Sequence, residues 1–283
     1  MQHAVTTSKD CRLTRFELDT WDDGRLIVNH AFAELLLRDG WSTFDSIWAK
    51  SADAAVAKNL RTDRVTLRFT LDDSGIQRAF YIKRHQRSSW KEYIKPLLRL
   101  TWPILGAGNE WNAILEFHEV GLPTMVPVAF GESGENSFLI TEALERCTKL
   151  SELANDRRTN SASSTVDRTA LIRRIALIAK AMHDAGLHHQ DFYLGHLMQS
   201  EADPDRLFVI DLGRVQKHKH LSKRWIVKDL AQLNYSADAT DFERLRFLRE
   251  YLGRPITKHD QGLINQIQAK SARIGRHSKK NRL

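Results

Sequence analysis

The stretch His189-Gln190-Asp191-Phe192-Tyr193-Leu194-Gly195-His196, followed by Asp211-Leu212-Gly213, constrains this chain more than any other. Asp191 stands five residues before His196, a potential metal ligand, and Asp211 comes 15 residues later, closing the apolar run Leu207-Phe208-Val209-Ile210. Two carboxylates in that order suit phosphoryl transfer, where the protein does little covalent work. One carboxylate orients the attacking hydroxyl; the other holds Mg²⁺ against the phosphates. Asp191 takes the first role in this reading and Asp211 the second. Taken singly the fragments say less, because Asp-x-Gly is an ordinary turn after a strand.

With 283 residues the chain has ample material for a core. No apolar run approaches the ~18 residues of a membrane span, and Met1 to Asp10 lacks the apolar centre of a signal peptide. Cys11 and Cys147 are the only cysteines, too few for a disulfide framework or a structural zinc site, and a cytosolic chain is expected. The net charge of +8 is concentrated in three runs, Lys83–Arg99, Arg214–Lys228 and Lys270–Leu283. The first two contain aromatic and apolar residues (Trp90, Tyr93, Trp225, Ile226), so they read as folded surface facing an anionic partner. The tail reads as a solvated or disordered end.

Residues 31–50 carry apolar positions at helical spacing, broken at Asp39-Gly40, and predict two short helices. Val65–Leu71 alternates with a period of two, Asp72–Gly75 is a turn, and Arg78–Lys83 is a second strand, so a hairpin ends on Lys83. A helix follows near Asn109–Val120, stopped by Gly121 and Pro123. Val126–Phe130 and Ser137–Thr141 read as strands around a Gly131–Gly134 turn, and Asn155–Thr165 as a surface loop. Asp167 is placed as the cap of a helix through Leu171, Ile175, Ile178 and Met182 that ends at Gly186. From there the chain reads as helical, most clearly at Lys228–Tyr235 and Asp241–Tyr251.

Strands first and helices second predict an α+β protein with the two lobes of a protein-kinase-like fold, a small β-rich N-lobe and a helical C-lobe. The expected divisions are an N-terminal extension over 1–30, the N-lobe over 31–143, the C-lobe over 144–265 and a basic, disordered tail over 266–283. In that order Lys83 closes a strand and Glu110 opens the next helix. An ion pair between them would fix the lysine on the α- and β-phosphates of ATP. Glu142 and Leu144 then fall at the hinge, where backbone groups pair with adenine.

Longer blocks carry a family resemblance: Trp90–Lys95 with Leu105–Trp111, Gly121–Met125, Met182–His196, Val209–Gln216 and Arg224–Leu230. Over about Phe80 to Gly253 the chain resembles the lipopolysaccharide core kinases of the Kdo/WaaP type. The Asp-x-Tyr-x-x-His form of the loop is similar to the heptose I kinase branch. The resemblance implies transfer of the ATP γ-phosphate to a hydroxyl (O4 in that branch) of the first heptose of the inner core, with ATP and Mg²⁺ as cofactors. It places the general base on Asp191, the metal-binding Asp on Asp211, the nucleotide lysine on Lys83 and the helix glutamate on Glu110. His196 stands where kinases carry Asn, and Asp229 where a helix Asp braces the catalytic loop.

Departures from the kinase pattern also carry information. Gln190 replaces the Arg that pairs with a phosphorylated activation loop, and the gap from Asp211 to Lys228 is short, so no such switch is expected. His196 is a soft ligand for Mg²⁺, and a hydrogen-bonding role for it stays open. No G-x-G-x-x-G precedes the hairpin, which leaves Lys58–Arg64 to cover the phosphates. Arg214, Lys217, Lys219, Lys223 and Arg224 follow the Asp211 turn and should border an anionic acceptor. The Lys83–Arg99 run could lie on the anionic cytoplasmic face of the inner membrane, as a peripheral contact. Lipopolysaccharide inner core and that surface are the expected partners, and nucleic acid is not. The alternatives are a Kdo kinase, a protein kinase of this fold and a pseudokinase nucleotide-binding module.

Overall fold

The structure, a computed structural model, describes residues 16–50, 55–61, 64–86, 106–159 and 168–280. Its N-terminal half is built on one antiparallel sheet. The strands are β1 (Leu18–Trp21), β2 (Leu26–Asn29), β3 (Ala55–Arg61), β4 (Arg64–Asp73), β5 (Ile76–His85), β6 (Pro127–Ser133) and β7 (Asn136–Glu142). Their order across the sheet is β1-β2-β6-β7-β5-β4-β3. Residues 18–21 and 26–29 are therefore sheet strands of the N-lobe, joined by a 3-10 turn at Asp22–Gly24, a correction to the expected N-terminal extension over 1–30: β2 pairs with β6 through Leu26–Gly131 and Val28–Ala129.

Helices α1 (Ala33–Arg38) and α2 (Phe44–Lys50) cover one face of the sheet, separated at Gly40. The β4–β5 hairpin turns through Ser74 and Gly75, both at positive φ, the twist that suits a tight two-residue connection. Side-chain alternation then sorts the strands. Phe80, Ile82, Phe138 and Ile140 pack against α1 and α2, whereas Leu139 belongs to the core built around the helix α3 (Gly108–Glu119). Lys83 is paired with Leu139, so the register directs Lys83 to the α3 side. Gly131 to Ser133, expected in a turn, continue β6, because β7 supplies partners as far as Asn136.

The C-lobe is mainly helical. It comprises α4 (Leu150–Thr159), α5 (Arg168–Asp184), α6 (Lys223–Ser236), α7 (Asp241–Leu252) and α8 (Gln261–Lys280). Short strand β8 (Cys147–Lys149) leads into α4, and four more interrupt the stretch after Gly186 read as helical: β9 (Leu187–His188), β10 (Leu197–Ser200), β11 (Leu207–Val209) and β12 (Gln216–Lys217). Helix α4 also occupies residues 155–159, where a surface loop was expected; residues 160–167, with the proposed Asp167 cap, lie outside the described residues. The expected disordered tail is corrected too. Helix α8 runs to Lys280 and docks on α6, with the Ser271 hydroxyl donating to the Ala231 carbonyl at 2.9 Å. Its apolar residues Leu263, Ile264 and Ile267 pack on the core, and Arg273 and Arg276 are exposed.

Candidate active site

The N-lobe contribution begins with α3. Ala107 N–H donates to the Ser137 hydroxyl at 3.0 Å, fixing the helix start against β7. Glu110, in the first turn, is buried and accepts from Lys83 Nζ at 2.5 Å. Burial works against the Lys83 charge, but the carboxylates of Glu110 and Asp211 outweigh it and hold its pKa above the ordinary lysine value. Asn109, one residue earlier, donates to the carbonyls of Gly213 and Val215 at 2.9 and 3.0 Å. The helix bearing Glu110 is thus tied directly to the loop bearing Asp211.

Helix α6 organises the loop from His189 to Leu194. Asp229, fully buried, accepts from the His189 N–H at 2.7 Å and the Gln190 N–H at 2.9 Å. Gln232 accepts from the Phe192 N–H at 3.1 Å and donates to the Gln190 carbonyl at 2.6 Å. The Ser236 hydroxyl accepts from the Leu194 N–H at 2.8 Å. These three residues fall at i, i+3 and i+7, one stripe of the helix. Burial alone would raise the Asp229 pKa, yet His183, His189 and the N–H donors hold it below the ordinary carboxylate value. Sequence reasoning reached Asp229 and missed Asn109, Gln232 and Ser236; polar residues at helical spacing from Asp229 were the available signal for the last two.

Histidines link the loop to Asp211. His189 lies buried, its Nε2 donating to the Ile210 carbonyl at 3.0 Å and its Nδ1 accepting from the Asp191 N–H at 3.3 Å. Burial pushes its pKa down, in keeping with that neutral tautomer. His196 Nδ1 donates to the Asp191 carbonyl at 2.6 Å, which turns Nε2 to within 3.6 Å of Asp211 Oδ2. Asp211 itself is left-handed (φ 61°, ψ 54°), and its carboxylate is more than half exposed.

This donor set fits a metal carried in with a nucleotide. Among the described residues no three His, Cys, Asp or Glu side chains cluster as a metal cage. Mg²⁺ ordinarily uses one or two carboxylates and takes its remaining ligands from phosphates and water. Asp211 offers such a carboxylate, with the His196 Nε2 3.6 Å from it.

Other candidate residues are distributed unevenly. One Arg214 nitrogen reaches both Asp191 oxygens, at 3.1 and 3.0 Å. Lys217 pairs instead with Glu116 of α3. Lys219, Lys223 and Arg224 are exposed, and the Arg224 guanidinium lies 4.6 Å from the Trp225 ring centroid. Where the hinge was expected, the Glu142 carboxylate pairs with Arg78 at 2.7 Å and its N–H donates to the Val126 carbonyl. Leu144 is half-buried against the C-lobe core. The side chains of 58–63, and residues 87–99 of the first basic run, lie outside the described residues.

Comparison with known proteins matches residues 45–251 to the lipopolysaccharide kinase (Kdo/WaaP) family. The chain is 37% identical over 241 residues to the lipopolysaccharide core heptose(I) kinase WaaP of Escherichia coli, spanning 80% of this chain and 89% of that one. A Pseudomonas aeruginosa protein of the same description is 35% identical over 266 residues, spanning 88% and 96%. A solved structure of WaaP in complex with acyl carrier protein aligns with a TM-score of 0.69 at 32% identity, over 88% of this chain and 98% of that one.

Proposed function

The chain belongs to the lipopolysaccharide kinase (Kdo/WaaP) family, and from that premise we infer that it transfers the γ-phosphate of ATP to a hydroxyl of heptose I in the lipopolysaccharide inner core. The observation that carries the reading is the Lys83–Glu110 ion pair, formed on the side of the sheet where Lys83 also feels Asp211. Lys83, fixed by Glu110, supplies positive charge to the α- and β-phosphates. Mg²⁺, held by Asp211 with the phosphates, would neutralise charge on the transferring group. Asp191 orients the acceptor hydroxyl and takes its proton as the new O–P bond forms, the γ-phosphorus to β-oxygen bond breaks and ADP leaves. The Asp229, Gln232 and Ser236 contacts hold the loop so that Asp191 is presented without rearrangement. The Glu142 carbonyl and the Leu144 backbone are the proposed adenine partners.

No described helix is long and apolar enough to cross a membrane. A lipid-linked acceptor would therefore be met at the surface, and the Arg214–Lys228 and Lys83–Arg99 runs support peripheral binding on the anionic inner leaflet. The relative solved with an acyl carrier protein supports such a carrier as a further partner. The deciding experiment incubates the purified protein with ATP, Mg²⁺ and dephosphorylated core lipopolysaccharide and maps added phosphate by mass spectrometry. Phosphate on heptose I is expected. Phosphate on Kdo, or ATP binding with no transfer, would overturn the assignment.

A further inference from the structure

Lys228 has no part in the chemistry above, yet it sits beside its centre. It is half-buried at the start of the α6 stripe, and its ammonium donates to the Gln190 side-chain carbonyl at 3.1 Å, one residue before Asp191. Among the described residues no carboxylate lies within ion-pair distance of it. The nearby ones are committed elsewhere: Asp191 to Arg214, and Asp229 to the His189 and Gln190 N–H groups. Gln190 is itself held at φ 69°, a left-handed conformation that a non-glycine residue adopts at a cost. A neutral amide satisfies one of the three ammonium donors and none of the charge.

The charges facing Lys228 are Arg214, Asp191, Asp229 and, from α8, Lys270. Burial and the Arg214 charge lower its pKa to about 8 against the pull of both carboxylates. A partly desolvated cation without a counter-ion is unfavourable until an anion arrives. Trp225 closes one side, its ring centroid 5.6 Å from the ammonium and stacked on His188 at 4.5 Å.

We propose that Lys228, with Gln190 and Arg214 around it, forms an oxyanion pocket beside Asp191 that receives a carboxylate or phosphate carried by the acceptor next to its reacting hydroxyl. The proposal rests on the acceptor being an anionic glycan, as inferred above. The pocket adds charge selection to a loop that otherwise only orients a hydroxyl, so acceptors lacking the neighbouring anion are handled poorly.

The test is calorimetric binding of inner-core glycan to wild type, Lys228→Met and Lys228→Arg, with a non-hydrolysable ATP analogue present. Three glycans with heptose I unphosphorylated are compared: one native in every other group, one carboxyl-reduced and one stripped of its remaining phosphates. Wild type should bind the native glycan about tenfold or more tightly than one of the two neutralised forms, the scale of one charge-assisted contact, and that form identifies the anion. Lys228→Met should lose this preference, Lys228→Arg should keep most of it, and affinity for the analogue should not change. Equal wild-type affinity for all three glycans would overturn the proposal without any variant. So would an equal loss by Lys228→Met on every glycan, or a loss of analogue binding, which would make the cation a nucleotide contact. Parallel phosphorylation assays separate the two readings: binding preference without transfer removes the kinase assignment, and transfer without preference removes only the pocket.

Discussion

Arg214 reaches both carboxylate oxygens of Asp191, at 3.1 and 3.0 Å, from a position three residues beyond Asp211. The segment that carries the proposed metal carboxylate therefore also restrains the proposed base. The Arg214 side chain is more than half exposed, so the pair contributes at most about 1 kcal/mol to stability. Arg214→Ala should leave the melting temperature within a few degrees of wild type, keep ATP affinity and lower kcat/KM for the glycan on the order of tenfold. A large loss of thermal stability would instead mark the pair as structural.

Asp191→Asn should abolish most turnover with nucleotide affinity nearly unchanged. The carboxylate that accepts the hydroxyl proton is gone, while its N–H to His189 and its carbonyl to His196 remain. Removal of a general base typically costs about 10²–10⁴-fold. Single-turnover measurements with saturating ATP check this, and wild-type rates would exclude Asp191 from the chemistry.

Lys83→Ala and Asp211→Ala should damage nucleotide handling, each lowering kcat/KM for ATP on the order of 10²-fold, the scale of losing one preorganised charge partner. Asp211→Ala should also remove the Mg²⁺ dependence of ATP binding, read by calorimetry with and without metal. Because the Lys83 pKa is raised, its stabilising pair is fully present below the ordinary value of 10.5 and is lost only as pH rises through the higher folded value. No loss of stability from this pair should appear between pH 6 and 9.

Asp229→Ala should destabilise the C-lobe by about 1–3 kcal/mol for each of the two buried N–H groups it strands, those of His189 and Gln190. Urea titration gives the loss, and hydrogen exchange at these two amides locates it. The Asp229 pKa is lowered, so its contribution is present above the ordinary 3.8 and disappears as pH falls through the folded value. Wild type should lose this increment in acid and Asp229→Ala should not.

Much of the architecture is legible without coordinates because it is written locally. The helix break at Asp39-Gly40, the β4–β5 hairpin ending near Lys83, and the helix opening at Glu110 all follow from periodicity and turn chemistry within about ten residues. The order Lys83, Glu110, Asp191, Asp211 is likewise a property of the string. Strands β1 and β2 could not be read so, because the hairpin they form is held in the sheet by the pairing of Leu26–Asn29 with β6, about 100 residues on. Two-residue elements such as β9 and β12 exist only as each other's partners.

The same division runs through the candidate site. Sequence by itself determined which groups can carry charge, metal and proton: the carboxylates, Lys83 and the histidines of one loop. Only the tertiary structure decided their partners. It set Asn109 on the Gly213 and Val215 carbonyls, Gln232 and Ser236 on the loop, Lys217 on Glu116 and Lys228 on Gln190. A run of basic residues reads as one surface in sequence, but each cation is fixed by whichever acceptor lies within hydrogen-bond reach once the backbone is packed. That is why residues 266–280, read as part of a solvated tail from their cations, continue the helix α8 that Leu263, Ile264 and Ile267 anchor: burial of apolar area on α6 and its neighbours outweighs the preference of the charged residues for water, which Arg273 and Arg276 keep by staying exposed.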